Sequence, residues 1–291
     1  MITIKLQGGL GNQMFQYAAA RSLSKKIFLD LDFLEVNCTD KLHFTARTFQ
    51  LGIFENLKIK RSSTNNLLRQ NNIAFRVLGK LFKSRIIHIK QTTNDFINLP
   101  GSGDLKYIYL DGYFQSEKYF SHIKKEIRDE FKFPALDIKN LDIANQIRNS
   151  ENATSIHIRR GDYVKSSIVN DIHGTLPKIY YQKAVSKLLL DFPKISIFVF
   201  SDDIKWARKH LNFENCNFIS NNIKEESWKD MALMSLCKHH IIANSSFSWW
   251  GAWLSIYEGQ KYAPVNWFNP KKIKYNLNDI IPREWNIIDY D

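Results

Sequence analysis

The 291-residue sequence predicts an α/β protein built from two Rossmann-like halves, with a ligand crevice between them. Three observations lead to this prediction. The chain opens with a strand, a glycine turn, a helix and a second strand, which is the order of a parallel βαβ unit. Its second half alternates strands and helices through short loops. Polar motifs directly follow several of these strands, and sheets of this kind bind ligands at the carboxyl ends of their strands.

The first half contains five predicted elements. They are strands at residues 2–6, 27–31 and 107–110 and helices at residues 12–26 and 116–131. The strands are short runs of β-branched and aromatic side chains. The first helix carries Met14, Phe15 and Ala18 at helical spacing, and Ser116 is the expected cap of the second. Residues 37–102 are irregular and polar in places, and no order of elements is predicted for them.

The second half contains seven predicted elements. They are strands at residues 156–158, 195–200 and 241–243 and helices at residues 177–190, 204–211, 225–236 and 248–257. Pro177 is well suited to the first turn of its helix because its missing N–H is not needed there. A change in composition near residues 149–152 predicts two domains, 1–150 and 151–291.

Composition predicts a globular protein, since 44% of the residues are hydrophobic. The sequence contains no run of eighteen apolar residues, so no transmembrane helix is predicted. The opening MITIKLQGGLGNQ lacks the pattern of a signal peptide. The three cysteines, Cys38, Cys216 and Cys237, are odd in number and widely spaced, which is typical of reduced thiols. Their spacing does not match that of metal-binding cysteines. We therefore expect a cytoplasmic protein.

The net charge of +12 favours an anionic partner, such as a nucleotide, a nucleic acid or an acidic membrane leaflet. Residues 58–90 contain nine basic residues and no acidic one. Apolar residues lie among them, so the segment could rest on the inner membrane leaflet as a basic amphipathic surface. The alternative is an ordinary solvated basic face.

The loop GGLGNQ lies between the first strand and the first helix. Gly9 and Gly11 would let backbone N–H groups approach a ligand, and the amides of Asn12 and Gln13 could bind sugar hydroxyls. The loop matches neither the dinucleotide fingerprint nor the P-loop. A tight strand–helix turn without a ligand is the alternative.

The stretch HIRRGD follows a strand and places Arg159 beside Arg160, with Asp162 two residues further on. Neighbouring side chains in extended chain point to opposite faces, so the two arginines should have different partners. A guanidinium suits phosphate oxygens, and the position at a strand end favours a ligand. The alternative is an internal ion pair between arginine and aspartate.

The stretch FVFSDD is an apolar strand that ends in Asp202 and Asp203. An aspartate there could accept hydrogen bonds from N1–H and the exocyclic amine of a guanine. Capping of the following helix by Ser201 or Asp202 is the alternative, and both uses are compatible.

The stretch NSSFSWWGAWL opens a helix after a strand. Ser245, Ser246 and Ser248 offer hydroxyls and backbone N–H groups where the helix dipole favours phosphate. The three tryptophans that follow are interpreted as core residues. A separate D-x-D pattern, Asp30 and Asp32, resembles a type of metal-binding site found in proteins, but it is short and common by chance.

Five motifs in order resemble one known family. GGLGNQMFQYA, DGYFQSEKYF, HIRRGDYV, FVFSDD and NSSFSWWGAWL span residues 8–254, nearly the whole chain. Together they are similar to the bacterial α-1,2-fucosyltransferases of glycosyltransferase family 11, which also contains the blood-group H type enzymes. The resemblance implies a GT-B type fold, two Rossmann-like domains facing a central cleft. It implies an acceptor-side domain at 1–150 and a GDP-fucose-binding domain at 151–291.

The resemblance also implies an activity. L-Fucose would pass from GDP-β-L-fucose, with inversion, to the 2-hydroxyl of a terminal β-galactoside, without metal or other cofactor. The acceptor would belong to a surface polysaccharide such as an O-antigen, built on a lipid carrier. The donor-binding residues that the resemblance implies are His157 near the guanosine, Arg159 on the diphosphate, Arg160 completing the motif with Asp162, Asp202 on the guanine, and Ser245, Ser246 and Phe247 bordering the phosphates.

The attacking hydroxyl also needs a base, for which the sequence offers two candidates. His173, in DIHGTL, has an ordinary imidazole pKa near 6.5 that suits the task, whereas Asp162 suits orientation of an arginine better. An ordinary loop histidine is the alternative for His173. The alternative functions are a fucosyltransferase with another acceptor or linkage, a non-catalytic GDP-sugar or glycan-binding protein, and a nucleic-acid binder. Strand-end motifs favour a small ligand over a duplex, so no nucleic-acid partner is expected.

Overall fold

A computed structural model provides the structure of the protein and describes residues 2–37, 46–57, 59–61, 86–100 and 107–290. The chain divides into two compact units, Met1–Lys132 and Phe133–Asp291. Each unit contains its own sheet, and all strand pairs in both sheets are parallel. The α/β class with two parallel sheets is therefore confirmed.

The boundary between the units lies before the predicted one at residue 150. Helix α4, Ile138–Asn149, belongs to the second unit. Asn140 on this helix is almost completely buried and exchanges side-chain hydrogen bonds of 3.0 and 2.8 Å with Asn222. This contact joins residues far apart in sequence, so a local change in composition could not reveal it.

The first unit is built on a five-stranded sheet in the order β3-β2-β1-β5-β4. Its elements are β1 Ile2–Lys5, α1 Leu10–Leu23, β2 Ile27–Asp30, α2 Asp32–Val36, β3 Ile59–Arg61, β4 Ile86–Lys90, β5 Tyr107–Asp111 and α3 Lys124–Glu130, with short 3-10 helices at Leu51–Ile53, Glu117–Tyr119 and Ser121–Ile123. The central strand β1 buries Ile2 and Ile4, and α1 packs Met14 and Phe15 into the same core. The predicted βαβ opening is confirmed.

Two predictions for the first unit need correction. The helix predicted at residues 116–131 is broken, because Phe120, at φ −131° and ψ 9°, leaves the helical conformation while its ring is fully buried 6.2 Å from that of Phe15. Ser116 still caps the first turn. The short strands β3 and β4 lie in the segment for which no element was predicted. Most of the basic segment 58–90 lies outside the described residues, so its membrane contact stays a prediction.

The second unit is built on a six-stranded sheet in the order β11-β10-β9-β6-β7-β8. Its elements are α4, β6 Ala153–Ile158, α5 Gly161–Lys165, α6 Ser167–His173, α7 Lys178–Asp191, β7 Ser196–Ser201, α8 Ile204–His210, β8 Cys216–Ile219, α9 Trp228–Ser235, β9 His239–Ile241, α10 Ser246–Leu254, β10 Lys261–Pro264, α11 Leu277–Ile280 and β11 Asn286–Ile288, with a 3-10 helix at Lys224–Ser227. Counted from β6, the order is that of the Rossmann fold. The predicted Rossmann-like second half is confirmed.

The core of the second unit lies on both faces of this sheet. Every residue of β6 is buried, as expected for a central parallel strand. Trp249, Trp250 and Trp253 of α10 are also buried, which confirms their interpretation as core residues. The short strands β8, β10 and β11 were not predicted, since three or four residues give little periodicity. Within the described residues, no helix is long and apolar enough to span a bilayer.

Candidate functional site

The candidate site lies where the strand order of the second sheet reverses. β6 and β9 are neighbours in this sheet, with Ile156 opposite Ile241, but their connections leave toward opposite sides. The loops after two such strands diverge and leave a crevice, which is the usual ligand position in open α/β sheets. The HIRRGD motif follows β6 and the NSSFSWW motif follows β9. Two of the predicted motifs are therefore brought together at one sheet edge.

Arg159 pairs with Asp202 at this edge. Nη1 of Arg159 lies 2.9 Å from Oδ2 of Asp202, and the two side chains are 24% and 26% exposed. The other carboxylate oxygen, Oδ1, accepts a 2.8 Å hydrogen bond from the backbone N–H of Arg160. The ion pair between arginine and aspartate, which the sequence analysis held as the alternative for HIRRGD, is thus present. Asp202 orients the guanidinium that was expected to meet a diphosphate.

Gly161 makes this pairing sterically feasible. A β-carbon at residue 161 would stand 2.9 Å from Oδ2 and 3.0 Å from the carboxyl carbon of Asp202, closer than side chains normally approach. Gly161 was not among the predicted site residues. A glycine directly after two arginines was the signal that could have found it.

Arg160 has a different set of partners, as the alternation of side chains predicted. Its Nε lies 3.4 Å from Oδ2 of Asp203, and its guanidinium carbon lies 4.3 Å from the ring centroid of Trp206. Oδ1 of Asp203 accepts a 3.1 Å hydrogen bond from the backbone N–H of Trp206 and so caps α8. Helix capping, an alternative for FVFSDD, therefore falls to Asp203, whereas Asp202 binds the arginines.

The first turn of α10 contains the predicted phosphate-binding residues. The Ser245 side chain caps the helix by accepting a hydrogen bond from the backbone N–H of Phe247. Ser245, Ser246 and Phe247 are partly exposed, whereas Ser248 is buried and bonds to the backbone oxygens of Ala243 and Ser245. Ser248 thus stabilises the turn. The partly exposed N-terminal turn of a nine-residue helix suits an anion.

His157 lies beside this turn. Its ring centroid is 5.6 Å from that of Phe247, and its Nδ1 is buried without a hydrogen-bond partner among the described residues. Burial, together with the charge of Arg159, lowers the pKa of His157 to about 3. The imidazole is therefore neutral at physiological pH, so it offers one donor and one acceptor and adds no charge.

His173 lies at the end of α6 among aromatic rings. It stacks on Tyr163, with ring centroids 4.9 Å apart and planes 10° apart, and lies 5.3 Å from the ring of Phe268. The guanidinium carbon of Arg159 is 5.7 Å from the Tyr163 ring centroid. Tyr163, which was not among the predicted site residues, thus contacts both His173 and the Arg159 guanidinium. Asp162 lies on α5 between Gly161 and Tyr163, but its side chain is outside the described part of the structure.

The GGLGNQ loop lies in the first unit and differs from the prediction in one respect. Gln13 is completely buried, its Nε2 donates to the backbone oxygens of Gly8 and Thr48 at 2.9 and 2.8 Å, and its Oε1 accepts from the N–H of Gln50. It is therefore a structural residue, and its expected contact with an acceptor is corrected. The prediction failed because amide side chains serve buried backbone as well as they serve sugars.

The other residues of this loop have mixed roles. Helix α1 begins at Leu10, two residues before the predicted start at residue 12. Gly9 therefore directly precedes the helix, and Gly11 is buried within its first turn. Asn12 is partly exposed, and its Oδ1 accepts a 2.8 Å hydrogen bond from Gln115. Gly9 and Asn12 therefore remain the accessible candidates of this motif.

The D-x-D pattern also has structural roles. Oδ2 of Asp30 accepts a 2.6 Å hydrogen bond from the Tyr109 hydroxyl, and Oδ1 accepts one of 3.0 Å from the N–H of Asp32. Among the described residues, no three His, Cys, Asp or Glu side chains are grouped as metal ligands.

Comparisons with known proteins agree with the motifs. The sequence model of glycosyl transferase family 11 matches residues 1–289. An α-1,2-colitosyltransferase of Escherichia coli is 35% identical over 98% of this chain and 98% of its own length. The O-antigen biosynthesis glycosyltransferase WbnK of Escherichia coli is 36% identical over 90% of this chain and 93% of its own length. The galactoside 2-alpha-L-fucosyltransferase Sec1 of Mus musculus is 26% identical over 88% of this chain and 64% of its own length.

A more distant likeness is found among solved structures. The crystal structure of the fucosyltransferase NodZ from Bradyrhizobium has 13% sequence identity and a TM-score of 0.45, and the match covers 86% of this chain and 91% of that one. This similarity is too low to support an argument about the ligand.

A Rossmann-type sheet with polar motifs at its switch point, together with these relatives, defines the class of the protein: it is a glycosyltransferase. The chain belongs to glycosyl transferase family 11, since the match extends over nearly its whole length. The family predicted from the five motifs is thereby confirmed.

Proposed function

We propose that the protein is an inverting α-1,2-glycosyltransferase that moves L-fucose from GDP-β-L-fucose to the 2-hydroxyl of a terminal β-galactoside. The observation that carries this proposal is the arginine–aspartate pair at the switch point of a chain that belongs to family 11. The relatives support the linkage, because a colitosyltransferase and a fucosyltransferase are both named for α-1,2 or 2-α transfer. The relative named for O-antigen biosynthesis supports a surface-polysaccharide acceptor.

The donor would bind at the carboxyl ends of β6 and β9. Its diphosphate would contact the Arg159 guanidinium, which supplies a positive charge. It would also contact the first turn of α10 at Ser245 and Ser246, which supplies backbone N–H donors. His157 and Phe247 would border the nucleotide, and the neutral imidazole would avoid a second buried charge. Asp202 would hold Arg159 in place. Each of its carboxylate oxygens has a lone pair that is not used by Arg159 or Arg160, and the predicted contact with guanine would use these.

Transfer would proceed in one displacement. The acceptor O2 attacks the anomeric carbon, the bond from that carbon to the β-phosphate oxygen breaks, and its electron pair leaves with GDP. The proton of the attacking hydroxyl passes to His173, for which Asp162 is the other candidate. Arg159 stabilises the negative charge that grows on the diphosphate, and a contact that strengthens in the transition state raises kcat more than affinity. With this cation and the helix terminus, no metal is required.

A second donor is favoured by a specific observation. The colitosyltransferase is 35% identical over 98% of the chain, a higher identity than the 26% of the mouse fucosyltransferase. Colitose is L-fucose without its 3-hydroxyl, so one site could hold either sugar. A site built to hydrogen-bond that hydroxyl would reject colitose strongly, whereas an apolar site would not discriminate well against either sugar.

The test is a transfer assay with two donors. The protein is incubated with GDP-fucose or GDP-colitose and a panel of β-galactosides, and the product linkage is determined. We expect an α-1,2-linked product with GDP-fucose and none with a folded Arg159→Ala variant. Preferred use of GDP-colitose would replace fucose by colitose in the proposal. GDP binding without product from any donor and acceptor would support the non-catalytic alternative instead.

A further inference from the structure

Asn244 connects the loops around the candidate site. It lies between β9 and α10 and is almost completely buried. Its Nδ2 lies 2.9 Å from the backbone oxygen of His173, 3.2 Å from that of Gly174 and 3.4 Å from that of Trp267. An amide nitrogen only donates, so three surrounding carbonyl oxygens fix which way the side chain is turned.

The backbone of Asn244 makes a second connection. Its carbonyl oxygen accepts a 3.1 Å hydrogen bond from the hydroxyl of Tyr163. The Tyr163 ring stacks on His173 and lies below the guanidinium of Arg159. One residue therefore holds the backbone that carries His173 and also the ring against which His173 is stacked.

The end of α6 needs such support. The helix has seven residues and ends at His173, followed by Gly174 at φ +68°. The last carbonyl groups of a helix have no partner within it and must find donors elsewhere. Asn244 supplies those donors from the loop after β9, which also leads into Ser245 and Ser246. The position of the imidazole is therefore tied to the turn where the diphosphate is proposed to bind.

We propose that Asn244 is a positioning residue that fixes His173 relative to the Arg159–Asp202 pair, so that the imidazole can take the proton of the acceptor hydroxyl. This inference rests on the proposed function. A misplacement of about 1 Å at a reacting group can lower a rate about a hundredfold, so loss of the amide should reduce kcat strongly. It should affect GDP affinity little, because Arg159 and the first turn of α10 keep their partners.

A double-mutant cycle on the full chain tests this proposal. Asn244→Ala and His173→Phe are made singly and together, and kcat, KM for the donor and GDP affinity are measured for each. His173→Phe keeps an aromatic ring beside Tyr163 but removes the proton acceptor. Asn244→Asp keeps the shape of the side chain. It replaces the amide nitrogen, which donates to three carbonyl oxygens, by a carboxylate oxygen, which cannot donate.

The expected result is strong coupling. Asn244→Ala and Asn244→Asp lower kcat at least about tenfold in the native background, with GDP affinity within about twofold, and Asn244→Ala has little further effect when His173 is already Phe. An equal loss in both backgrounds, or a parallel loss of GDP affinity, would show a merely structural role and overturn the inference. Unchanged kcat in Asn244→Ala would also overturn it.

A matched control contacts the same helix. Asn269 follows β10, and its Nδ2 donates a 2.9 Å hydrogen bond to the backbone oxygen of Asp171 on α6, but this bond is exposed to solvent. Asn269→Ala is expected to leave kcat within about twofold. Full kcat in His173→Phe would also overturn the inference, because His173 would then not be the proton acceptor. Failure of the proposed function has a separate signature: the unaltered protein transfers no sugar.

Discussion

Gly161 and Asp202 approach so closely that no other residue fits at position 161 without displacing the carboxylate: a β-carbon there would lie 2.9 Å from Oδ2 of Asp202. The same oxygen lies 2.9 Å from Nη1 of Arg159. The glycine, the aspartate and the arginine therefore form one unit. The approach of α5 to the end of β7 sets the direction in which the guanidinium points.

The first prediction concerns this approach. Gly161→Ala should displace the Asp202 carboxylate, turn Arg159 out of its orientation and lower kcat at least about tenfold, whereas the melting temperature should change little. Steady-state kinetics and thermal unfolding measure the two effects. In an Asp202→Ala background, which removes the clash, Gly161→Ala should cost almost nothing more. An equal loss in both backgrounds would contradict the steric explanation.

The second prediction separates the two arginines. Arg159→Lys should lower kcat at least about a hundredfold, as the loss of one transition-state donor typically does, with the fold retained. Arg160→Lys keeps a charge near Asp203 but loses the stacking on Trp206, so it should lower stability by about 0.5–2 kcal/mol and kcat much less. Kinetics and denaturant titration of both variants are compared. The reverse pattern would mean that Arg160 is the diphosphate ligand.

The third prediction concerns metal. Since Arg159 and the first turn of α10 are proposed to meet the diphosphate charge, excess EDTA should leave the transfer rate unchanged. Asp30→Asn should lower stability rather than turnover, because Asp30 binds the Tyr109 hydroxyl. A loss of activity with EDTA that manganese restores would instead support metal binding at Asp30 and Asp32.

The fourth prediction concerns pH and Asp230. Burial raises the pKa of Asp230 from 3.8 to about 7, although Asn222 donates a 2.7 Å hydrogen bond to it. The folded state therefore holds this proton more tightly than the unfolded state. The protonated Asp230 carboxyl therefore contributes its full share to the free energy of unfolding below about pH 4. This contribution is lost as the pH rises to about 7, by at most about 1.4 kcal/mol for each pH unit.

Asp230→Asn removes this dependence and keeps an oxygen that can accept from Asn222. The variant should become more stable relative to the native protein as the pH rises from 4 to 7, with a plateau above that range. Thermal unfolding at several pH values measures the difference. Asp142→Asn, at an exposed position on α4, is the control and should show no such trend. A constant difference for Asp230→Asn would contradict the raised pKa.

Much of the second unit could be predicted from the sequence, because its signals are local. The apolar runs before HIRRGD and FVFSDD predicted β6 and β7, and both strands end within a residue of the expected position. The strands β10 and β11 were missed because they are four and three residues long. Their pairing with neighbouring strands, rather than their own pattern, makes them strands.

The candidate site was predicted as a set of residues but not as a set of contacts. The chemistry of Arg159, Asp202 and Ser245 and their positions after strands were enough to select them. Gln13 was misassigned because a buried amide and a sugar-binding amide look the same in sequence. Asn244 and Tyr163 were missed because their importance comes from what they join, which no neighbouring residue indicates.

The sequence by itself determined the class of fold, the family and the side chains available for chemistry, because periodicity, strand-end motifs and their order are properties of short stretches of chain. Only the tertiary structure decided that Arg159 meets Asp202, that Arg160 turns to Asp203 and Trp206, and that Asn244 holds the end of α6. These choices depend on which strands become neighbours when the sheet assembles. Hydrogen bonds and ion pairs act over a few ångströms, so distant parts of the chain acquire partners only after folding brings them together.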